Sequence, residues 1–346
     1  HLHYYLRVQR RELVQLNVKA KENKVEMEAS YSNSSEGNSP AAIRKEGRSP
    51  GLGLTRQRSS VADKNRHLQS MDSDYLYHLA LSKADASNFR DVRFVCIGGS
   101  NDRMKSFAYA LAETLGMPAT QVVAVGEHKR YVIFKVSKVL VASHGMGGPS
   151  ISILVNELAK LLRYAEADAC WIRLGTCGGV GVEAGTVAIT KQSLNGALGP
   201  YHQTYVLGKA VQREALFDMD LCTDLQQTAQ SLGFPTEIGK TMCCDDFYEG
   251  QGRLDGAICD YDIDEKMEFL QRAHAAGVRN IEMESLQFGA FSKHVGVRAV
   301  TICSVFLNRL NGDQVISSVD QLKDYEQRTV TTVLQYVKQE LEKSDS

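Results

Sequence analysis

The sequence predicts an α/β fold in which a central twisted sheet, mixed and mainly parallel, is flanked by helices. From residue 92 onward, short apolar segments alternate with longer amphipathic ones, an alternation typical of this class. Several of the apolar segments end in glycine-rich stretches, as buried strands do where they reach the edge of a sheet. The continuous apolar run 297–305 has the composition of a strand that is buried on both faces.

The individual elements follow from composition and period. The segment 92–99, VRFVCIGG, predicts a strand and a glycine turn, and the amphipathic stripe of 101–115 predicts a helix after it. Apolar, β-favouring segments predict the other strands at 131–136, 139–143, 169–174, 187–189, 203–207 and 297–305. Apolar residues on one helical face predict the other helices at 151–164, 212–232, 265–276, 284–294 and 321–343.

Residues 1–70 differ in composition from the rest and are predicted to form a disordered basic tail. They hold 13 Lys and Arg against 7 Asp and Glu, and 31–60 is rich in Ser, Gly, Asn and Arg. A short basic helix over 12–24 is compatible with the sequence, whereas acidic residues are too frequent for a transit peptide. Residues 71–346, starting at Met71, are predicted to form a single domain.

The composition of residues 71–346 excludes several classes of function. They carry 27 Lys and Arg against 34 Asp and Glu, which argues against an enzyme that binds nucleic acid through its main surface. No apolar run reaches the roughly 18 residues of a membrane span. The eight cysteines lack metal-ligand spacing, so we expect no metal site and reduced thiols in a cytoplasmic protein.

The stretch 168–179, DACWIRLGTCGG, is the strongest local signal. An apolar run carries Arg173 near its end and then breaks into glycines around Thr176, which predicts a strand that ends in a loop. Ligands bind at that edge of open α/β sheets, and a buried guanidinium is costly unless a negative group meets it. The sequence therefore favours an anion site here, and the alternative is a core strand with a tight turn.

A second glycine loop carries an arginine in a comparable place. Arg103 follows Gly99 at the start of the predicted helix 101–115, where a helix N-terminus and a guanidinium can hold an anion together. The alternative for Arg103 is a solvated helix residue. Two such loops together favour a phosphate site.

Two further segments suit a nucleoside. In 247–253, FYEGQGR, Phe247 can stack on a planar ring, while Gln251 and Arg253 match the donors and acceptors of a uracil edge. In 280–285, NIEMES, Glu284 can accept two ribose hydroxyls, and Met283 offers an apolar face. The alternatives are a surface turn with Phe247 in the core, and a Glu284 that complements a helix dipole.

Six motifs, in this order, resemble the nucleoside phosphorylase superfamily and within it the eukaryotic uridine phosphorylases. They are FVCIGGSNDRMKSF (94–107), SHGMGGPSISI (143–153), IRLGTCGG (172–179), DFYEGQGRLDGA (246–257), RNIEMES (279–285) and LNRLNGDQ (307–314). The resemblance covers 75–337. It implies a three-layer fold and the reversible phosphorolysis of uridine to uracil and ribose 1-phosphate. Inorganic phosphate would be a co-substrate, and no cofactor or metal is implied.

The resemblance also implies a role for each candidate residue. Phosphate would be held by Gly99, Arg103, Arg173 and Thr176, together with Arg130 from a neighbouring subunit. Uracil would be bound by Phe247, Gln251 and Arg253, and ribose by Met283, Glu284 and His78, the last also from a neighbouring subunit. Arg173, Gln251 and Arg253 would carry the catalysis. Residues shared across subunits imply a homo-oligomer, and the eukaryotic type implies a homodimer.

One departure from the family pattern leaves alternatives open. Relatives usually have Ser or Thr where Cys177 stands, so a hydroxyl donor is replaced by a weak thiol donor. One alternative is therefore a weakly active or non-catalytic paralogue that binds nucleosides. The other is a pyrimidine nucleoside phosphorylase with a broader range that includes deoxyuridine and thymidine.

Overall fold

The computed structural model describes residues 65–126 and 130–345 of the chain. Most of the predicted tail 1–70, including the 12–24 helix and the 31–60 stretch, lies outside the described residues. Within them, no helix combines the length and the apolar character that a membrane crossing requires.

Thirteen strands are found in the described residues. In chain order they are β1 (Tyr75–Leu76), β2 (Leu81–Ser82), β3 (Phe94–Gly98), β4 (Val123–Ala124), β5 (Ile133–Val136), β6 (Val139–Ser143), β7 (Cys170–Gly179), β8 (Val187–Leu194), β9 (Tyr201–Val206), β10 (Lys209–Glu214), β11 (Thr236–Cys243), β12 (Val278–Glu282) and β13 (Ala299–Asn308). Nine of them form one mixed sheet in the order β12-β11-β8-β13-β7-β3-β6-β5-β4, and β12 also pairs with β7. The pairs β1–β2 and β9–β10 are separate and antiparallel.

Six α-helices are described around these strands. They are α1 (Asn101–Thr114), α2 (Gly148–Tyr164), α3 (Met219–Ser231), α4 (Ile263–Ala275), α5 (Ser285–Val295) and α6 (Val319–Asp345). Helix α6 packs against α1 and α3, α2 packs against α5, and α4 packs beside β12. The predicted α/β class, with helices packed around a central mixed sheet, is confirmed.

The parallel strands run into the core and end together at one edge of the sheet. Strands β3 and β6 are buried along their whole length, as expected for parallel strands covered on both faces. Strand β7 is parallel to β3 on one side and to β13 on the other. The carboxyl ends of β3, β6, β7 and β13 therefore meet at the same edge, where ligands bind in such sheets.

The predicted helix 212–232 is wrong over its first part. Residues 209–214 form β10, which pairs in register with β9, and the helix begins only at Met219. Asp218 accepts a hydrogen bond from the backbone N–H of Leu221 at 2.9 Å, which caps α3 at that point. The prediction extended the helical period of α3 upstream over β10, because this short strand contains the same mixture of polar and apolar residues.

The predicted glycine loop 175–179 is also wrong, because β7 continues through it to Gly179. β13 pairs alongside as far as Gly179, and β12 pairs antiparallel with Gly178 and Gly179. A Cβ on Gly178 would stand 2.9 Å from Cγ of Arg309, so the absence of a side chain lets Arg309 cross the strand there. The glycines therefore allow close packing over the end of the strand.

Candidate active site

A cavity of about 510 Å³ opens at the carboxyl edge of the sheet. It is lined by residues at or just after the ends of β3, β6, β7, β12 and β13, and by the segment after β11. Nine of the eleven residues predicted from sequence line it: Gly99, Arg103, Arg173, Thr176, Phe247, Gln251, Arg253, Met283 and Glu284. Segments distant in the chain therefore meet at one place.

Arg173 is buried in the floor of the cavity between two carboxylates. Its Nη1 lies 2.8 Å from Oε2 of Glu282, and its Nη2 donates to Oε2 of Glu284. Burial lowers the pKa of Arg173, but the two carboxylates raise it by more, so the guanidinium stays charged. The sequence required a negative group beside Arg173 and favoured an anion site there, and the structure shows that two carboxylates of the chain already meet the guanidinium.

Glu282 was not assigned a role from sequence, yet it holds this part of the site together. Its carboxylate accepts hydrogen bonds from the backbone N–H of Glu284 at 2.9 Å and of Ser285 at 3.0 Å, and from the Ser285 hydroxyl. It thereby satisfies the free donors at the start of α5 and fixes Arg173. A carboxylate three residues before an apolar helix is the signal that could have found it.

Glu284 links Arg173 to the start of a second helix, α2. Its Oε1 accepts a hydrogen bond from the N–H of Gly147 at 2.6 Å, at the start of α2. Burial raises the pKa of Glu284, Arg173 lowers it, Glu282 raises it, and the net direction is upward. The predicted helix 284–294 begins one residue later, and Glu284 occupies the position before its first turn.

The predicted phosphate subsite, defined by Gly99, Arg103, Arg173 and Thr176, lies where β7 meets the start of α1. Arg103 is in the first turn of that helix, and its pair with Glu326 is long, at 3.4 Å, and exposed. The guanidinium is therefore only weakly held. A Cβ on Gly99 would stand 3.9 Å from Arg103 Nη2, so the glycine keeps open the space that this guanidinium faces.

The predicted uracil subsite, defined by Phe247, Gln251 and Arg253, lies on the segment after β11. The Arg253 guanidinium stands 4.7 Å from the centre of the Phe247 ring, and its Nε and Nη2 bind the two oxygens of Asp255 at 2.8 and 2.6 Å. Phe247 is 44% exposed, so its interpretation as a core residue is wrong. Its ring forms an open face of the cavity instead.

Arg309 holds the uracil subsite in place and was not singled out from sequence. Its Nη2 donates to the backbone carbonyl of Gln251 at 2.8 Å, and its Nε donates to Oδ1 of Asp313 at 3.1 Å. Asp313 also binds Lys266 at 2.8 Å and the N–H of Leu254 at 3.0 Å. This buried network fixes both ends of the turn that carries Gln251. The motif 307–314 contains Arg309 and Asp313, but only the tertiary structure reveals what they hold.

An apolar wall completes the cavity and was also missed. It consists of Phe306, Leu307 and Val315, at and beyond the end of β13. The sequence assigned the apolar run 297–305 to the core and gave no role to the apolar residues after it. Periodicity alone cannot distinguish apolar residues that line a cavity from apolar residues of the core.

The comparisons with known proteins agree with this geometry. A family model described as the Phosphorylase superfamily matches residues 93–339. Uridine phosphorylase 2 from Mus musculus is 42% identical over 294 residues, which are 82% of this chain and 92% of that protein. The chain belongs to the phosphorylase superfamily, in its eukaryotic uridine phosphorylase family.

Two further relatives define the range of the uridine phosphorylase family around this chain. A solved uridine phosphorylase from the oomycete Phytophthora capsici is 44% identical with a TM-score of 0.78, covering 81% of this chain and 97% of that one. Inactive uridine phosphorylase B from Schistosoma mansoni is 37% identical over 280 residues, 79% of this chain and 95% of that protein. The predicted family is confirmed, and it includes a member named as inactive.

Two residues that the resemblance to uridine phosphorylases assigned to a neighbouring subunit do not line the cavity. His78 pairs with Glu157, with 2.6 Å between Nδ1 and Oε1, and its backbone N–H donates to the same carboxylate at 2.9 Å. Arg130 is exposed. Within one copy of the chain, the structure therefore leaves both outside the site.

Cys177, the departure from the uridine phosphorylase pattern, is buried in the cavity floor. Its Sγ donates toward the backbone carbonyl of Ser304 at 3.6 Å, and burial raises its pKa well above the usual value. The thiol is therefore neutral and directed into the β7–β13 pairing. Among the described residues, no cluster of three or more potential ligands could hold a metal ion.

Proposed function

We propose that this chain catalyses the reversible phosphorolysis of uridine to uracil and ribose 1-phosphate, in pyrimidine salvage or catabolism. The observation that carries the proposal is the meeting of the phosphate subsite, Glu284 and the uracil subsite in one cavity. The three have the chemistry of an anion site, a sugar site and a pyrimidine site, and Glu284 directly contacts Arg173. Family membership supports the same reaction.

The mechanism follows from where charge develops. As the bond between C1′ and N1 of uridine breaks, its electron pair passes to uracil and the ribose gains oxocarbenium character. Phosphate held by Arg103 and Arg173 stabilises that cation and forms the new bond to C1′. Gln251 and Arg253 donate hydrogen bonds to the uracil anion, which takes up a proton equal to the one that hydrogen phosphate loses on becoming ribose 1-phosphate.

In this proposal Glu284 orients the ribose and Arg173 serves two partners. Arg173 faces both Glu284 and the phosphate subsite, so a bound phosphate draws the guanidinium from the carboxylate. Glu284 then has an oxygen to accept from the ribose hydroxyls, while Gly147 holds its other oxygen. Glu282 keeps Arg173 in position throughout.

A homodimer completes the site in this proposal, because His78 and Arg130 lie outside the cavity of their own copy. The partner's Arg130 would add a third guanidinium to phosphate, and the partner's His78 would contact the ribose. Exposed Tyr75 and Tyr77 flank His78 and suit an interface. Analytical ultracentrifugation should give twice the monomer mass, and a fully active monomer would contradict this arrangement.

The test of the proposed function is uracil release from uridine by the purified chain, with and without inorganic phosphate. We expect release that depends on phosphate and yields ribose 1-phosphate in equal amount. Release without phosphate would identify a hydrolase and reject the proposal. Parallel assays with 2′-deoxyuridine and thymidine decide between a uridine enzyme and one of broader range.

A non-catalytic nucleoside-binding protein is the second candidate, favoured by Cys177 and by the inactive Schistosoma mansoni relative. Because the Cys177 thiol is directed toward Ser304, we expect Cys177→Ser to change kcat/KM by less than about fivefold, within the effect of one weak hydrogen bond. Uridine binding by calorimetry without turnover, and recovery of turnover in Cys177→Ser, would establish the second candidate instead.

The cellular compartment belongs to the same proposal. None of the eight cysteines forms a disulfide, and six of them are buried. Unbridged thiols in this number suit a reducing compartment, which supports a cytoplasmic enzyme.

A further inference from the structure

His144 is a fully buried imidazole whose ring nitrogens, Nδ1 and Nε2, both lack a hydrogen-bond partner among the described residues. Its backbone is firmly held, since its N–H donates to the carbonyl of Gly98 at 2.8 Å and its carbonyl accepts from the Ser150 hydroxyl at 2.5 Å. The ring is thereby fixed where β3 and β6 end. A buried polar group without a partner costs stability, and an apolar side chain would fill the same position without that cost.

The ring lies beside Gly99 of the phosphate subsite. The point where a Cβ of Gly99 would stand is 3.8 Å from Cε1 of His144, the ring atom between the two nitrogens. The same point is 3.9 Å from Nη2 of Arg103 and 3.2 Å from the carbonyl of Gly145. Gly99, Arg103 and Gly145 all line the cavity, so the space between these groups opens into it.

The imidazole is uncharged in this position. Burial lowers the pKa of His144 well below its usual value, and the charges of Arg173 and Arg103 lower it further. The carbonyl of Gly145, which lies near the ring without the geometry of a hydrogen bond, opposes this only in part. A neutral imidazole has one N–H donor and one nitrogen acceptor, whereas the arginines around it can only donate.

This difference matters for the choice of anion. Hydrogen phosphate carries a P–OH group that needs an acceptor, and sulfate at neutral pH has no such proton. A pocket built from arginines alone would hold both anions by charge. An acceptor at the same place favours the protonated anion, because an unmet donor in a buried site is costly.

We propose that His144 is a further phosphate-binding residue, whose ring contacts inorganic phosphate above Gly99 and selects hydrogen phosphate over sulfate. The contact satisfies the unpartnered ring when phosphate is bound. It also gives Gly99 a specific purpose, which is to leave the space between His144 and Arg103 empty. The inference rests on the proposed function, since it assigns a further residue to its phosphate subsite.

The test compares two variants. His144→Met introduces an adaptable apolar side chain, whereas His144→Gln retains a donor and an acceptor. We expect His144→Met to raise the KM for phosphate about tenfold, the effect of one lost buried hydrogen bond, with the KM for uridine within about twofold. His144→Gln should recover most of that loss. The inhibition constant of sulfate should change less than about twofold in both, so that phosphate selectivity falls only in His144→Met.

Ser292→Ala is the matched control, because its buried hydroxyl also lacks a partner among the described residues but lies on α5 and not beside Gly99. A folded His144→Met with an unchanged KM for phosphate would overturn the inference and make the imidazole a packing group.

The wild-type chain gives a second measurement that needs no turnover and no variant that folds. In protein labelled with ¹⁵N-histidine, inorganic phosphate should shift the ring-nitrogen signals of one buried neutral histidine, and sulfate should not. No shift at saturating phosphate would overturn the inference even if uridine phosphorolysis is confirmed. A shift without uracil release would instead reject the proposed function and leave the phosphate contact standing.

Discussion

Arg173→Ala should both abolish most of the activity and destabilise the fold. We expect kcat/KM for uridine to fall by at least about 100-fold, because the guanidinium stabilises the attacking phosphate where charge changes in the transition state. We also expect the free energy of unfolding to fall by about 3–5 kcal/mol, because Glu282 and Glu284 would be left buried without their partner. Uracil release and urea denaturation measure the two effects.

The single tryptophan, Trp171, allows the two effects to be separated. It is buried two residues before Arg173, and its fluorescence reports whether the variant is folded under assay conditions. Arg298→Ala is the matched control, because that arginine also pairs with a carboxylate, Asp218, at 2.7 Å but is 55% exposed. It should cost no more than about 1 kcal/mol and leave activity intact. A folded Arg173→Ala that loses less than about tenfold in activity would contradict the assigned role.

Gln251→Leu should remove recognition of the pyrimidine while leaving the phosphate subsite intact. The amide is buried in the cavity wall, and leucine has nearly its size without a donor or acceptor. We expect kcat/KM for uridine to fall by about 10²–10³-fold, since the leaving uracil anion loses a donor and its edge is left unpaired. The KM for phosphate should stay within about twofold.

Initial rates at varied uridine and at varied phosphate separate these two effects for Gln251→Leu. The exposed Gln230 on α3 offers the matched control, and Gln230→Leu should match the wild type in both constants. Equal losses toward uridine and phosphate in Gln251→Leu would mean that the turn had collapsed. That outcome would mean that the Gln251 side chain maintains the fold of the turn, whose backbone Arg309 holds, and does not act in uracil binding.

The sequence predicted the residues of the site better than their relations to one another. Gly99 and Arg103 could be recognised together because the glycine loop and the helix start that hold them are adjacent in the chain. The pairing of Arg173 with Glu282 and Glu284 could not be found in that way, since these carboxylates come from the end of a different strand. His144 lay within a quoted motif, but nothing in the sequence shows that its ring would lack a partner.

The errors in the fold have a similar origin. In β10, the residues 209–214 alternate too briefly to outweigh the helical period that follows them, and only pairing with β9 makes them a strand. In β7, glycines that normally end a strand allow close packing instead, and Gly178 in particular leaves room for Arg309 to cross the strand. In both cases tertiary contacts override a local preference that was correctly identified.

The position of β13 has a consequence for how the chain is made. This strand lies between β8 and β7 in the middle of the sheet, although it comes late in the sequence. Until residues 299–308 have left the ribosome, the position of β13 in the sheet is unfilled. The backbone edges of β7 and β8 that pair with β13 are then exposed. A nascent chain is therefore prone to aggregate until β13 is available, and the centre of its sheet closes only when that strand pairs with both neighbours.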